Sequence, residues 1–230
     1  MKLCKVYRDS RAQRIVRIAR ILLAIEDVLE ELPEDIDVES VYLDPETVLS
    51  DHVKLVVSSD RHGSETRDLG FAQIVIELVQ HPVSGNIHRF YDGVAMEFGR
   101  YSSRVLSPYL SKPVEYALLL LDSEDCIVME GFEKGVVYPS RNNILFTAHT
   151  HPQGLSTLSR RDILTLLDIL SKRGFAFCAM GVDGVLCVYR RLLVYEEDYE
   201  KLLAIANDVG YLDMEIAARL GLTSVGIVKI

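Results

Sequence analysis

The sequence predicts a mixed α/β (α+β) chain, a β-sheet flanked by helices, and three observations carry that expectation. Apolar runs of strand length, at residues 53–57, 114–121 and 143–148, are interleaved with stretches whose apolar residues recur at helical spacing. Helix-capping residues precede those stretches, and glycines such as Gly174 and Gly210 close them. An apolar fraction of 49% over 230 residues suffices for a buried core.

The elements follow in order. Asp9 or Ser10 caps a helix running to Leu32, with Ile15, Ile18, Leu22, Ile25 and Leu29 on one face. Arg8, Arg11, Arg14, Arg17 and Arg20 recur every three residues along it. This is read as a solvated face, with a docking stripe for an acidic partner as the alternative. Residues 21–53 then carry eleven acids and no Lys or Arg, so the two blocks can neutralise each other. Residues 33–51 read as a loop with short ordered pieces. A strand is expected at 53–57, and 73–80 is β-rich in composition with a helix as the alternative. Ile87 to Phe98 is expected to return as a further strand, making a hairpin. A short helix follows at 101–111, and Lys112-Pro113 ends it before the run at 114–121. Later come two strands about the turn Val182-Asp183-Gly184 within 175–189, and a helix over 196–207.

Bulk properties narrow the function. Net charge is −9 and the pI is about 5.2, which disfavours general nucleic-acid binding. Cys4, Cys126, Cys178 and Cys187 form no C-x-x-C pair, and Cys178 and Cys187 read as buried small hydrophobes. No apolar run is long enough to cross a bilayer, and no signal peptide is read, so a cytoplasmic protein is expected.

The chemistry gathers at His149-Thr150-His151-Pro152. Two histidines separated by one residue at the end of a strand point their imidazoles the same way. Pro152 stops the strand, and a polar loop leads to Ser159 and Asp162 at the start of a helix. Two imidazoles and a carboxylate suit Zn2+, and three protein ligands leave a fourth position for water. Ser159-x-x-Asp162 is equally a helix-capping signature.

These residues, His149-x-His151-Pro152 with Ser159-x-x-Asp162, resemble the JAMM motif of the MPN-domain zinc metalloproteases at each motif position. The resemblance covers about the last 130 residues. It implies an MPN-like sheet in a catalytic domain at 96–230, behind an N-terminal α/β extension at 1–95 of no named family. It also implies one zinc per chain on His149, His151 and Asp162. The expected activity is hydrolysis of peptide or isopeptide bonds at the tail of a ubiquitin-like or sulfur-carrier protein. In the family a Glu after the helix and proline is the general base, and that role falls to Glu115. Glu97, Glu124, Glu130 and Glu133 are the fallback candidates. Ser159 would help hold the oxyanion, worth about 3 kcal/mol. A homo-oligomer stays open.

Two other classes compete. One is a non-catalytic MPN-type interaction scaffold. The other is a DNA-associated protein, because residues 214–224 read like a helix–turn–helix phrase, with an Ala to pack the helices and Gly221 at the turn.

Overall fold

Backbone pairing in the computed structural model, which describes residues 2–32, 40–132, 135–138 and 143–230, gives a mixed α+β protein. In chain order come β1 (Lys2–Tyr7), α1 (Ser10–Glu31), β2 (Val41–Leu43), β3 (His52–Ser58), β4 (Gly63–Asp68) and β5 (Gln73–Val79). Next are α2 (Ile87–Leu106), β6 (Tyr116–Leu121), β7 (Cys126–Glu130), β8 (Ile144–Thr150), β9 (Leu158–Ser159) and α3 (Arg160–Ser171). The chain continues with β10 (Ala176–Gly181), β11 (Gly184–Arg190), α4 (Glu196–Ala204), β12 (Tyr211–Leu212), α5 (Met214–Leu220) and β13 (Val225–Lys229). The expected loop at 33–51 falls partly outside the described residues, as does Glu133.

Two compact units result: Met1–Val16 with Asp92–Ile230, and Arg17–Tyr91. The smaller holds a four-stranded sheet ordered β2-β3-β5-β4, in which β3 and β5 run parallel. Its strands alternate in burial, and Val53, Leu55, Val57, Ile74 and Ile76 face its core. Asn86 clamps β2 by accepting from the Leu43 N–H at 2.8 Å and donating to the Leu43 carbonyl at 2.9 Å.

The larger unit carries a seven-stranded sheet ordered β1-β7-β6-β8-β10-β11-β13. Only β8 and β10 are parallel neighbours, joined by a crossover through α3; the other described pairings are antiparallel. Strand β8 is fourth of the seven and buried along its whole length. A strand covered on both faces reads as an unbroken apolar run, which is why 144–148 shows no alternation. Helix α3 buries Ile163, Leu166, Leu167, Ile169 and Leu170 against a core that includes Phe177, Leu186 and Val188.

The first helix starts where expected. Asp9 Oδ1 accepts from the N–H groups of Arg11 and Ala12 at 2.9 and 3.2 Å. The arginine stripe is at least partly solvent-exposed, and four of its five residues have partners. Within the larger unit, Arg8 pairs with Asp125 and Arg11 with Glu97. Within the smaller, Arg17 pairs with Asp51, and Arg20 lies 3.8 Å over the Phe71 ring.

Three expectations are corrected. Residues 87–98 are the first part of helix α2 and not a strand. Ile87, Tyr91, Val94, Ala95, Phe98 and Tyr101 are all buried, and their spacing is that of one helix stripe. Aromatic and branched residues mimic strand composition there, but the period decides. The helix–turn–helix phrase is helix, turn and strand: after α5 and Gly221 the chain enters β13, which pairs with β11. Cys178 and Cys187 are buried, as read, but they are joined as a disulfide. They are direct cross-strand partners in the β10–β11 hairpin. No described helix is long and apolar enough to cross a membrane.

Candidate metal centre

The site forms where β8 ends and α3 begins. In a parallel crossover the carboxyl end of the strand and the amino end of the following helix open on the same side. His149 is the sixth residue of β8, and His151 follows the strand directly. Register sets the neighbours: His149 lies opposite Ala117 of β6 and beside Ala179 of β10. The His151 N–H donates to the Met180 carbonyl at 2.7 Å, so the strand direction is held one residue beyond β8.

The loop after His151 folds back over the end of β10. A Cβ at Gly181 would collide with the backbone of Leu155 and Ser156 there, so only glycine fits. That loop orients a ligand: the Leu155 carbonyl lies 3.1 Å from His151 Nδ1. An N–H at Nδ1 donating to this carbonyl leaves the Nε2 lone pair free, the usual outer support of a metal-binding histidine.

Asp162 arrives from the first turn of α3, and the two readings of Ser159-x-x-Asp162 coincide in it. A full capping box is present. The Ser159 N–H and hydroxyl both donate to Asp162 Oδ2, at 2.8 and 2.7 Å, and the Asp162 N–H donates to Ser159 Oγ at 3.3 Å. The cap thereby loads Oδ2 and turns Oδ1 toward His149 Nε2 at 3.3 Å. Asp162 Oδ2 is 3.5 Å from His151 Nε2, and the two Nε2 atoms are 2.8 Å apart. Two nitrogens on one tetrahedral zinc, each at about 2.0–2.1 Å, would be about 3.3 Å apart, so the spacing needs only a small relaxation.

Three ligand atoms within 4.8 Å of one another make a group able to hold a metal ion. The donor set itself argues for a cation. Two imidazole nitrogens, both Nε2, and a carboxylate converge. Convergent acceptors repel one another unless a proton or a cation lies between them. Burial pushes the Asp162 carboxyl up, but His149, His151 and the Ser159 hydroxyl outweigh it and hold it far below the usual carboxylate range. Burial opposes a charge on His151, yet Asp162 beside it raises its pKa above the ordinary 6.5. The side chains of His149, Asp162 and His151 are 2%, 14% and 18% exposed, so the cluster opens on one side only.

It opens into a cavity of about 320 Å³ that Glu115 also lines. Glu115 directly precedes β6, and continuing the β6–β8 register sets it opposite His151 on the face that carries His149. The hydroxyl of Thr150, on the other face, accepts from the Tyr116 N–H at 2.9 Å and fixes that junction. Burial raises the Glu115 pKa, while His149 and His151 oppose the rise. Of the fallback acids, Glu97 pairs with Arg11, Glu124 accepts from Gln13, and the Glu130 carboxylate accepts from the Tyr116 hydroxyl at 2.6 Å. None of these three lines the cavity.

Among the cavity residues that the sequence did not mark are two with polar chemistry, Tyr138 and Arg161. Tyr138 stacks edge-on to Phe177, burial raises its pKa well above the ordinary value, and its hydroxyl is buried with no hydrogen-bond partner among the described residues. Arg161, next to Asp162, also lines the cavity. The dipeptide Arg160-Arg161 inside the motif was the available signal for the second; nothing local marked Tyr138.

The fold and the cluster thus define an α+β protein with a three-residue group able to bind a metal ion in a cavity that also holds a carboxylic acid. No protein-family model matches the chain, and no curated protein matches it.

Proposed function

We propose that this chain is a zinc-dependent hydrolase of peptide or isopeptide bonds, similar in chemistry to the JAMM metalloproteases, acting at the extended tail of a ubiquitin-like or sulfur-carrier protein. The observation that carries this reading is the convergence of His149, His151 and Asp162 in a cavity that Glu115 also lines. A bound zinc ion would supply a Lewis acid that polarises a carbonyl and acidifies water. His149, His151 and Asp162 would hold it. Glu115, its pKa raised by burial, is suited to take a proton from the attacking water and deliver it to the leaving amine. The water oxygen adds to the carbonyl carbon, the C–N bond breaks, and the products are a carboxylic acid and an amine. Ser159 orients Asp162 through its hydroxyl, so its hydrogen is committed to the ligand carboxylate unless substrate redirects it.

The test is cleavage of a ubiquitin-like protein fused through its tail to a reporter, with zinc-loaded protein. The expected result is cleavage by the natural chain, little by Glu115→Gln and none by His149→Ala. Zinc binding without cleavage of any tail or peptide would refute the hydrolase reading while leaving the metal centre intact.

A further inference from the structure

Arg161 occupies an unfavourable place for a cation that has no other task. It lies in the first turn of α3, where the helix dipole opposes positive charge. Its neighbour Arg160 reaches Asn207 Oδ1 at 3.3 Å. The Arg161 guanidinium makes no hydrogen bond or ion pair among the described residues, although its charge is felt by Glu115. The chain makes room for it. Gly135 has φ +140°, and a Cβ there would sit 2.7 Å from Arg161 Nη1. A side chain at 135 would displace the guanidinium from the cavity. On the same cavity, the Tyr138 hydroxyl is buried with its hydrogen unspent. A guanidinium and a phenol, both without acceptors among the described residues, line the space in front of His149, His151 and Asp162.

We infer that Arg161, backed by Tyr138, is a specificity residue that binds a carboxylate of the substrate next to the bond being cut. This inference rests on the hydrolase reading above and names the substrate class for that site. A planar guanidinium matches a carboxylate with two parallel N–H···O bonds, and the phenol supplies a third donor. The anion is a carboxylate and not a phosphate: Glu115 and Asp162 border the same space, and a doubly charged group would meet more repulsion there. The carboxylate has two sources, the free carboxyl terminus of a single departing residue or an acidic side chain beside the scissile bond.

The test measures binding separately from turnover. Zinc-loaded Glu115→Gln is titrated calorimetrically with acetyl-Gly-Gly-Ala as the free acid and as the amide. A second pair, acetyl-Gly-Gly-Asp-Ala amide and its Asn counterpart, places the carboxylate on a side chain. One acid should bind about tenfold tighter than its neutral partner, and which one does so identifies the source. Adding Arg161→Met should erase the preference while zinc content stays at the parent value. Arg161→Lys should restore part of it, and Tyr138→Phe should reduce it about threefold. Equal binding of acid and neutral peptides, or a preference that survives Arg161→Met, would overturn the inference. Hydrolysis by the natural chain is scored separately. A carboxylate preference with no hydrolysis defeats the hydrolase reading and keeps the site. Hydrolysis with no preference does the reverse.

Discussion

Two segments of the larger unit are built from the same parts and end up with different roles. Both β8 with α3 and α5 with β13 join a sheet strand to a helix whose amino end is capped by a side chain. Asp213 caps α5 by accepting from the Ile216 N–H at 2.9 Å. Asp162 belongs to the cap of α3 as well, but its carboxylate faces two histidines, Oδ1 toward His149 and Oδ2 toward His151. Helix α3 buries five residues and α5 none. A cap alone secures a helix end. The same carboxylate becomes part of a site when the preceding strand delivers partners to it and the core holds both elements still.

That contrast can be broken by substitution. The largest effect is expected at His149. His149→Ala should abolish zinc binding and lower hydrolysis by at least about a thousandfold, with far-UV circular dichroism unchanged. Glu115→Gln comes next: zinc content should stay at the natural level while turnover falls by about 10²- to 10⁴-fold. If zinc is lost too, Glu115 is a ligand and not a base.

The carboxyl-terminal segment should respond in stability alone. Removing residues 225–230 strips β11 of its partner β13 and takes the buried Val225 out of the core, so thermal stability should drop sharply. A DNA-binding phrase would lose affinity for DNA with little loss of fold. Asp213→Ala should cost about 1 kcal/mol, read as a small fall in Tm, with zinc content unchanged. Asp162→Asn should differ in losing bound zinc altogether while the chain still folds, with some fall in Tm because a carboxyl held below its ordinary range stabilises the fold.

The smallest effect is expected at Asp183, in the turn between β10 and β11. Its pKa is lowered to about 2, first by the Lys229 ammonium and then by the Ser156 N–H. A depressed carboxyl stabilises the fold above its ordinary 3.8, and that contribution fades as pH falls through about 2. Lys229→Ala should therefore lower Tm slightly at neutral pH, by little because the pair is solvent-screened, and the difference from the natural chain should vanish as pH falls through about 2.

What the sequence showed depended on how local the cause was. His149, His151 and Asp162 lie within fourteen residues of chain, where strand alternation and a capping pattern fix direction. Their convergence was therefore readable. The disulfide was readable in principle as well. Cys178 and Cys187 stand symmetrically about the two-residue turn Val182-Asp183, and a hairpin with that turn pairs them. Treating each cysteine singly hid this. Helix α2 was misread because Ile87, Phe90 and Tyr91 suit a strand by type, while the deciding period appears only when the window reaches Tyr101. Tyr138 could not be found locally. Its place depends on Phe177, thirty-nine residues away, and on a cavity formed by several elements.

Metal binding by His149, His151 and Asp162 is tested most directly by counting the ion. Purified chain loaded with zinc, dialysed and assayed for metal should retain one zinc per chain, and Asp162→Asn treated identically should retain none while keeping its circular dichroism. Natural chain that emerges without zinc, or an Asp162→Asn chain that keeps a full equivalent, would contradict it.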